Sequence, residues 1–329
     1  MNRFKNILCI LNQDNESCTR SLERAVSLAK NNQAHLTVVA VVDKMTVGIG
    51  MPEDGPISAD LQAALNQSQQ RILEEQVQPF RKRLSIQTKL LVGTSFLEII
   101  REVLRNDFDL VIKTPLNQSW MDRLFCSDDM HLLRKCPCPV WLIKPQAPKS
   151  YNRILVAVDT EDDKSEEEQL SEHALNKQIL EMGSSLALSD FAELNVVHVW
   201  HPIGESALRG AFINTDEEKI TAYVEQVRRQ HARSLDQLVE EMINQLGDRD
   251  TDFLKPKKHL IKGWASKEIP ALAREIDADL VIMGTVGRTG IPGFIMGNTA
   301  ETILNQINCS VLAIKPPGFV SPVELTDDE

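Results

Sequence analysis

The chain has 329 residues, is 42% hydrophobic and 25% charged, and carries a formal net charge of -11. That length and composition suit a soluble protein of two ordinary domains, and no apolar run approaches the ~18 residues of a membrane span. The acidic balance argues against non-specific nucleic-acid binding, and the N-terminal MNRFKNILCILNQDNE has no long apolar stretch of the kind a secretory leader carries; the expectation is a cytoplasmic protein with no direct nucleic-acid or membrane signal.

Taken in order, the first apolar run is ILCILN (Ile7 to Asn12), and the second is LTVVAVV (Leu36 to Val42). A helical pattern follows from about Ala59 to Leu84, where Pro79 kinks or ends it. Gly93 to Ile112 closes on the apolar Asp109-Leu110-Val111-Ile112, and a last strand ends in Ile143-Lys144-Pro145. PQAPKSYN (145–152) reads as a linker. The series then starts again. ILVAVD (Ile154 to Asp159) answers the first run and LNVVHVW (Leu194 to Trp200) the second. A long helical stripe follows, with Ile220, Tyr223, Val224, Val227, Leu235, Leu238, Val239 and Met242 on one face. Gly263 to Ile282 matches Gly93 to Ile112 without a gap, pairing Glu98 with Glu268 and Asp107 with Asp277, and Ile314-Lys315-Pro316 closes the half. Preserved order marks an internal duplication. The expected domains are 1–144 and 153–316, joined by 145–152 and followed by an acidic tail at 317–329. Continuously apolar strands alternating with helices predict, for each half, an open parallel five-stranded α/β sheet with helices on both faces.

The halves differ where chemistry is expected. In an open parallel sheet, ligands bind beyond the carboxyl ends of strands, where strand order reverses. Asp159 stands there in the second half, ready to accept from a ribose hydroxyl or an adenine amino group, or to cap the next turn; the first half has Asn12. After Met283 comes GTVGRTGIPGFIMGNTAE, from Gly284 to Glu301. Gly284, Gly287 and Gly297 let a ligand approach the backbone, and Asn298 and Thr299 open a helix whose N-terminus suits a phosphate. Asn298 and Glu301 also fit an Asn-x-x-Glu capping box. Arg288 offers a cation to a phosphate, or is a plain surface arginine. The first half reads TPLNQSWMDRLFCSDDM from Thr114 to Met130, without glycine. The glycines form neither a Walker loop nor the G-x-G-x-x-G fingerprint.

Other features read more plainly. The acidic clusters Glu161-Asp162-Asp163 and Glu166-Glu167-Glu168 fit solvated loops, and Asp327-Asp328-Glu329 a frayed end. Six scattered cysteines are not a disulfide framework. Cys136-Pro137-Cys138, near His131, fits burial at the start of a strand better than a metal or redox site. His198 and His201 flank Trp200 near a strand end and fit packing or hydrogen bonding.

The glycine pattern, the aspartate after the first strand and the repeated α/β unit resemble the universal stress protein family over essentially the whole chain. The resemblance implies the adenine-nucleotide alpha hydrolase-like fold and, in the ATP-binding branch, an adenine nucleotide: ATP or ADP, with Mg2+ as its companion ion. On this reading Asp159 meets ribose or adenine, the Val199 backbone and Met283 lie at the base, and Gly284, Gly287, Arg288, Gly297 and Asn298 hold phosphate. Serine or threonine is usual at Asn298, and Thr299 supplies a hydroxyl instead. The resemblance implies binding more than turnover, with no committed catalytic set. Single-domain relatives pair, so the tandem implies an intrachain pseudo-dimer, with a homodimer of tandem chains as a further assembly. The first domain's pocket, with Asn12, Trp120 and Phe125, is expected to take a less charged ligand than a triphosphate. The competing reading is a nucleotide-independent scaffold or small-ligand binder in the stress response.

Overall fold

A computed structural model describes residues 4–11, 15–45, 56–115, 127–160, 165–209, 216–246, 253–286 and 296–325. The described residues up to Lys149 and from Cys309 onward form one compact unit, and those from Ser150 to Asn308 form a second.

Unit 1 contains β1 (Asn6–Leu11), α1 (Asn15–Asn32), β2 (His35–Val42), α2 (Pro56–Val77), β3 (Ile86–Val92), α3 (Ser95–Asn106), β4 (Leu110–Lys113), α4 (Ser127–Lys135) and β5 (Val140–Leu142). Its first five strands lie in the order β3-β2-β1-β4-β5 and pair in parallel, with Ile7 between Leu36 and Leu110. Unit 2 contains β6 (Arg153–Ala157), α5 (Glu166–Asp190), β7 (Glu193–Trp200), the single turn α6 (Glu205–Leu208), α7 (Glu217–Gln245), β8 (Lys257–Lys262), α8 (Ala265–Glu275), β9 (Leu280–Gly284) and α9 (Asn298–Leu304). Its strands lie in the order β9-β6-β7-β8, again parallel, and Ile154 sits between Leu194 and Leu280. The duplication therefore holds at the level of register. Central strands such as β1 and β6 are buried along almost their whole length, as a parallel sheet covered on both faces requires.

Three devices recur in both units and account for the residues that match across the repeat. The carboxylates of Asp109 and Asp279 each accept from two successive backbone amides at the start of the first strand of their unit: Lys5 at 2.6 Å and Asn6 at 3.1 Å, and Asn152 at 2.6 Å and Arg153 at 3.0 Å. Asp107 and Asp277 take left-handed backbone (φ 50° and 51°) just after α3 and α8, a conformation that short polar side chains tolerate better than most. Gly93 and Gly263 lie at φ 140° and 155°, and a Cβ there would meet Cγ of Glu98 at 3.0 Å and of Glu268 at 2.7 Å. The shared acidic and glycine positions thus build the strand-to-helix joints of the fold.

Several sequence expectations change. The helix expected to reach Leu84 ends at Val77, and Pro79 lies in a short 3-10 turn, Gln78–Phe80, because proline cannot donate into a continuing helix. Only Ile220 and the 235–242 end of the α7 stripe are fully buried. Glu166-Glu167-Glu168 is not loop but the first turn of α5: Ser165 and Glu168 cap each other reciprocally, the Ser-x-x-Glu signature of a helix start. The second repeat still closes, as expected, on the strand of the final Ile-Lys-Pro, β10 (Ser310–Ile314), which packs with the residues of unit 1. This strand pairs antiparallel with β5, Leu312 opposite Trp141, and Ser310 Oγ accepts from the Lys144 amide at 3.2 Å. β5 has only three residues, and this pairing covers its otherwise bare edge.

Candidate functional site

In unit 2 the chain runs from β6 outward through β7 to β8, and then returns to place β9 on the other side of β6. The order reverses between β6 and β9, so the ligand crevice of an open sheet falls beyond the carboxyl ends of these two strands. Asp159 lies two residues past β6 and is exposed. Its backbone is held from below by Asn176, a buried residue of α5: the Asp159 amide donates to Asn176 Oδ1 at 3.2 Å, and Asn176 Nδ2 donates to the Asp159 carbonyl. Beside Asp159, the Thr160 hydroxyl is buried without a hydrogen-bond partner among the described residues.

On the β9 side, Met283 is buried and Gly284 ends the strand. A Cβ on Gly284 would stand 2.8 Å from Cδ2 of Leu175, so its first reason to be glycine is the packing of α5 against the strand end. That gives Gly284 a packing neighbour in addition to the place beside a ligand expected of it. Gly297 is different. Its φ of -58° suits any residue, and a Cβ there would meet none of the described atoms within 4 Å. Among the described residues neither conformation nor packing asks for glycine, while its amide, donating to the Thr285 carbonyl at 3.2 Å, ties it to the crevice. Asn298 and Thr299 are exposed in the first turn of α9. Gly297, not Asn298, is the N-cap, and no side chain caps this helix; the Asn-x-x-Glu capping box is not formed, because the helix starts one residue earlier than that motif needs. Gly287 and Arg288 lie outside the described residues. Val199 is half-buried at the end of β7, opposite Ile261 of β8.

The two histidines take separate roles. His198 is fully buried, 3.3 Å from the Val158 carbonyl through Nδ1 and 2.9 Å from His231 Nδ1 through Nε2, the hydrogen-bonding role expected for it. His201 packs against Trp264 in a tilted ring pair, centroids 4.5 Å apart.

The same edge of unit 1 is filled differently. Extending the ungapped repeat match by one or two residues puts Lys113 opposite Met283 and Thr114 opposite Gly284. Counting back from the shared Ile-Lys-Pro puts Asp129 opposite Ala300. Lys113 and Asp129 form an ion pair, 2.5 Å apart, with 1% and 0% of their side chains exposed. Asn12, Trp120 and Phe125 lie outside the described residues. The Cys136 and Cys138 sulfurs are buried 3.6 Å apart as free thiols, and their mutual hydrogen bond, with burial, pushes the Cys138 thiol well above its usual range. Lys315 lies nearby, donating to the α4 carbonyls of Leu133 at 2.6 Å and Arg134 at 3.2 Å, and burial lowers its pKa to about 7. Among the described residues no helix is long and apolar enough to cross a membrane.

Known proteins are similar to this chain in sequence and fold. The chain is 30% identical to Universal stress protein E of Escherichia coli strain K12 over 338 residues, covering 100% of this chain and 99% of that one. It is also 30% identical to the Haemophilus influenzae homolog of Universal stress protein E over 324 residues, covering 95% and 98%. A crystal structure of a protein of unknown function from Pseudomonas aeruginosa PAO1 superposes with a TM-score of 0.63 at 26% identity, covering 96% of this chain and 94% of that one. A universal stress protein from Archaeoglobus fulgidus, 16% identical, shares the fold with a TM-score of 0.60 over 95% and 99%. The profile of the Universal stress protein family matches twice, at residues 3–144 and 150–315, so the duplication read from strand register is a tandem of that domain and the chain belongs to the universal stress protein family.

Proposed function

We propose that the protein acts in a bacterial stress response and that unit 2 binds an adenine nucleotide, ATP or ADP, as the input to that role. The stress role rests on the names of the full-length relatives. The nucleotide reading rests above all on Gly297, a glycine that neither its backbone conformation nor the described neighbouring atoms require, tethered at the switch-point crevice. In this reading Asp159, held by Asn176, takes the ribose, and the buried Thr160 hydroxyl gains a partner from the ligand or its water. Val199 and Met283 border the base, and the phosphates lie against Gly297, Asn298 and Thr299, with Gly287 and Arg288 in the same loop. Mg2+ enters with the phosphates, which supply its oxygen ligands. The role is binding in the cytoplasm rather than turnover.

Isothermal titration of the full chain with ATP and Mg2+ tests the reading. Saturable heat is expected from the wild type. Gly297→Val, whose side chain enters the space left open at that position, is expected to weaken binding at least tenfold while the urea midpoint stays within the wild-type range. Equal affinity in both proteins, or no binding by the wild type, overturns it.

A further inference from the structure

Trp264 is 65% exposed, a costly position for the side chain with the largest apolar area. It follows Gly263 at the carboxyl end of β8, as the N-cap residue of α8 with no side-chain cap. Its indole is not loose: His201, just past the end of β7, packs against it with ring centroids 4.5 Å apart and the planes tilted by 35°. The imidazole therefore supports the indole from one side.

The fold does not require this pair. The ungapped match sets Thr94 opposite Trp264, and the residue after β2 opposite His201 is Asp43. The joint beneath is otherwise the same in both units: Gly93 packs on Glu98 as Gly263 packs on Glu268, and Thr94 and Trp264 each accept at the carbonyl from the amide four residues on. Unit 1 builds the joint with a small polar residue and an acid. Unit 2 spends an exposed tryptophan there.

Its place says what it meets. β8 lies two strands from β6 in the order β9-β6-β7-β8, about 10 Å at the usual spacing. Gly297 sits on the β9 side of Asp159. A nucleotide with its phosphates at Gly297 and its ribose at Asp159 directs its base past the end of β7 toward β8. Resting on the nucleotide reading above, we infer that Trp264, backed by His201, is a stacking platform for the base of the bound adenine nucleotide. Stacking on a flat π face tolerates any base, and an adenine offers a larger face than a pyrimidine. The residue thus contributes affinity through the base and none through the phosphates.

The test uses the full chain, with ATP and, separately, inorganic tripolyphosphate, titrated into the wild type, Trp264→Ala, Trp264→Thr and Trp264→Phe. Removing an aromatic stack from a base is expected to raise the Kd for ATP about 5- to 150-fold in the alanine and threonine variants. The phenylalanine variant stays within a few-fold of wild type. Tripolyphosphate binds all four alike. ATP quenches indole emission in the wild type, and that quench is lost in Trp264→Phe although binding persists. Unit 1 carries threonine at the equivalent joint, so Trp264→Thr is expected to keep the wild-type urea midpoint. Wild-type affinity for ATP in Trp264→Ala and Trp264→Thr overturns this inference alone. Absence of ATP binding by the wild type overturns the nucleotide reading and this inference with it.

Discussion

The two units share a register and differ in where they bury charge. Among the described residues, every buried lysine, aspartate and glutamate lies in unit 1: Glu98, Glu102, Lys113, Asp129 and Lys315. The buried polar side chains of unit 2 are neutral amides and hydroxyls and one histidine: Asn176, Ser184, Asn195, His198 and Thr285. At the strand end where unit 2 keeps Met283 and Ala300 clear of charge, unit 1 seals Lys113 against Asp129. A buried ion pair is expensive to desolvate and still more expensive to break. It therefore holds its position by mutual need, whereas no described neighbour in unit 2 needs Gly297 to be glycine. One edge is committed to the interior and the other is left available.

The strongest way to break the contrast is to remove one member of the pair. Asp129→Ala is expected to lower unfolding free energy by about 3–5 kcal/mol, since it leaves a buried ammonium without its anion. The double variant Lys113→Met with Asp129→Ala installs the residues of unit 2 and is expected to recover most of that loss. Urea unfolding of the three proteins decides it, and a double variant no better than Asp129→Ala contradicts the account.

A smaller effect separates the other buried lysine. Lys315 titrates at about 7 in the fold and near 10.4 in an unfolded chain. Between those values the unfolded chain holds the proton and the fold does not, so stability rises with pH from 7 toward 10 and is lost as pH falls back to 7. Lys315→Met removes this slope. The wild type is expected to gain on the order of 2 kcal/mol relative to Lys315→Met between pH 7 and 9.5, read from urea midpoints at the two values. Parallel pH profiles for the two proteins contradict it.

The smallest test lies within unit 2. Ser165→Ala removes a reciprocal cap from α5 and is expected to cost about 1 kcal/mol. Asn298→Ala is expected to change stability by less than about 0.5 kcal/mol, because Asn298 caps nothing in α9. Equal losses from the two would restore the capping role that the geometry denies to Asn298.

Most of the fold is readable along the chain because the repeat prints it twice. Asp109 with Asp279, Asp107 with Asp277, and Gly93–Glu98 with Gly263–Glu268 are local joints, and local joints leave local patterns. Asp159 and the loop from Gly284 are legible for the opposite reason, as the places where the copies disagree. What escaped reading is long-range. Nothing near Gly284 announces that Leu175 of α5 presses against this strand end. Asn176 looks like an ordinary helix residue until its amide is seen holding Asp159. Lys113 and Asp129 lie 16 residues apart, with no periodic pattern to pair them. A lysine ending an apolar strand reads as a surface cation, and only the packed unit shows it enclosed.

The antiparallel pairing of β10 with β5 also dictates an order of events. Ser310 joins Lys144 across 166 residues of chain, and contacts of such separation are closed late and slowly. A chain emerging from its N-terminus completes β1 to β5 long before β10 exists. Through that interval Val140-Trp141-Leu142 presents an apolar strand edge with no neighbour, the kind of edge that recruits other chains. Until the last strand arrives, the newborn first unit therefore carries an open apolar edge, and a ribosome stalled within the second repeat leaves that edge uncovered.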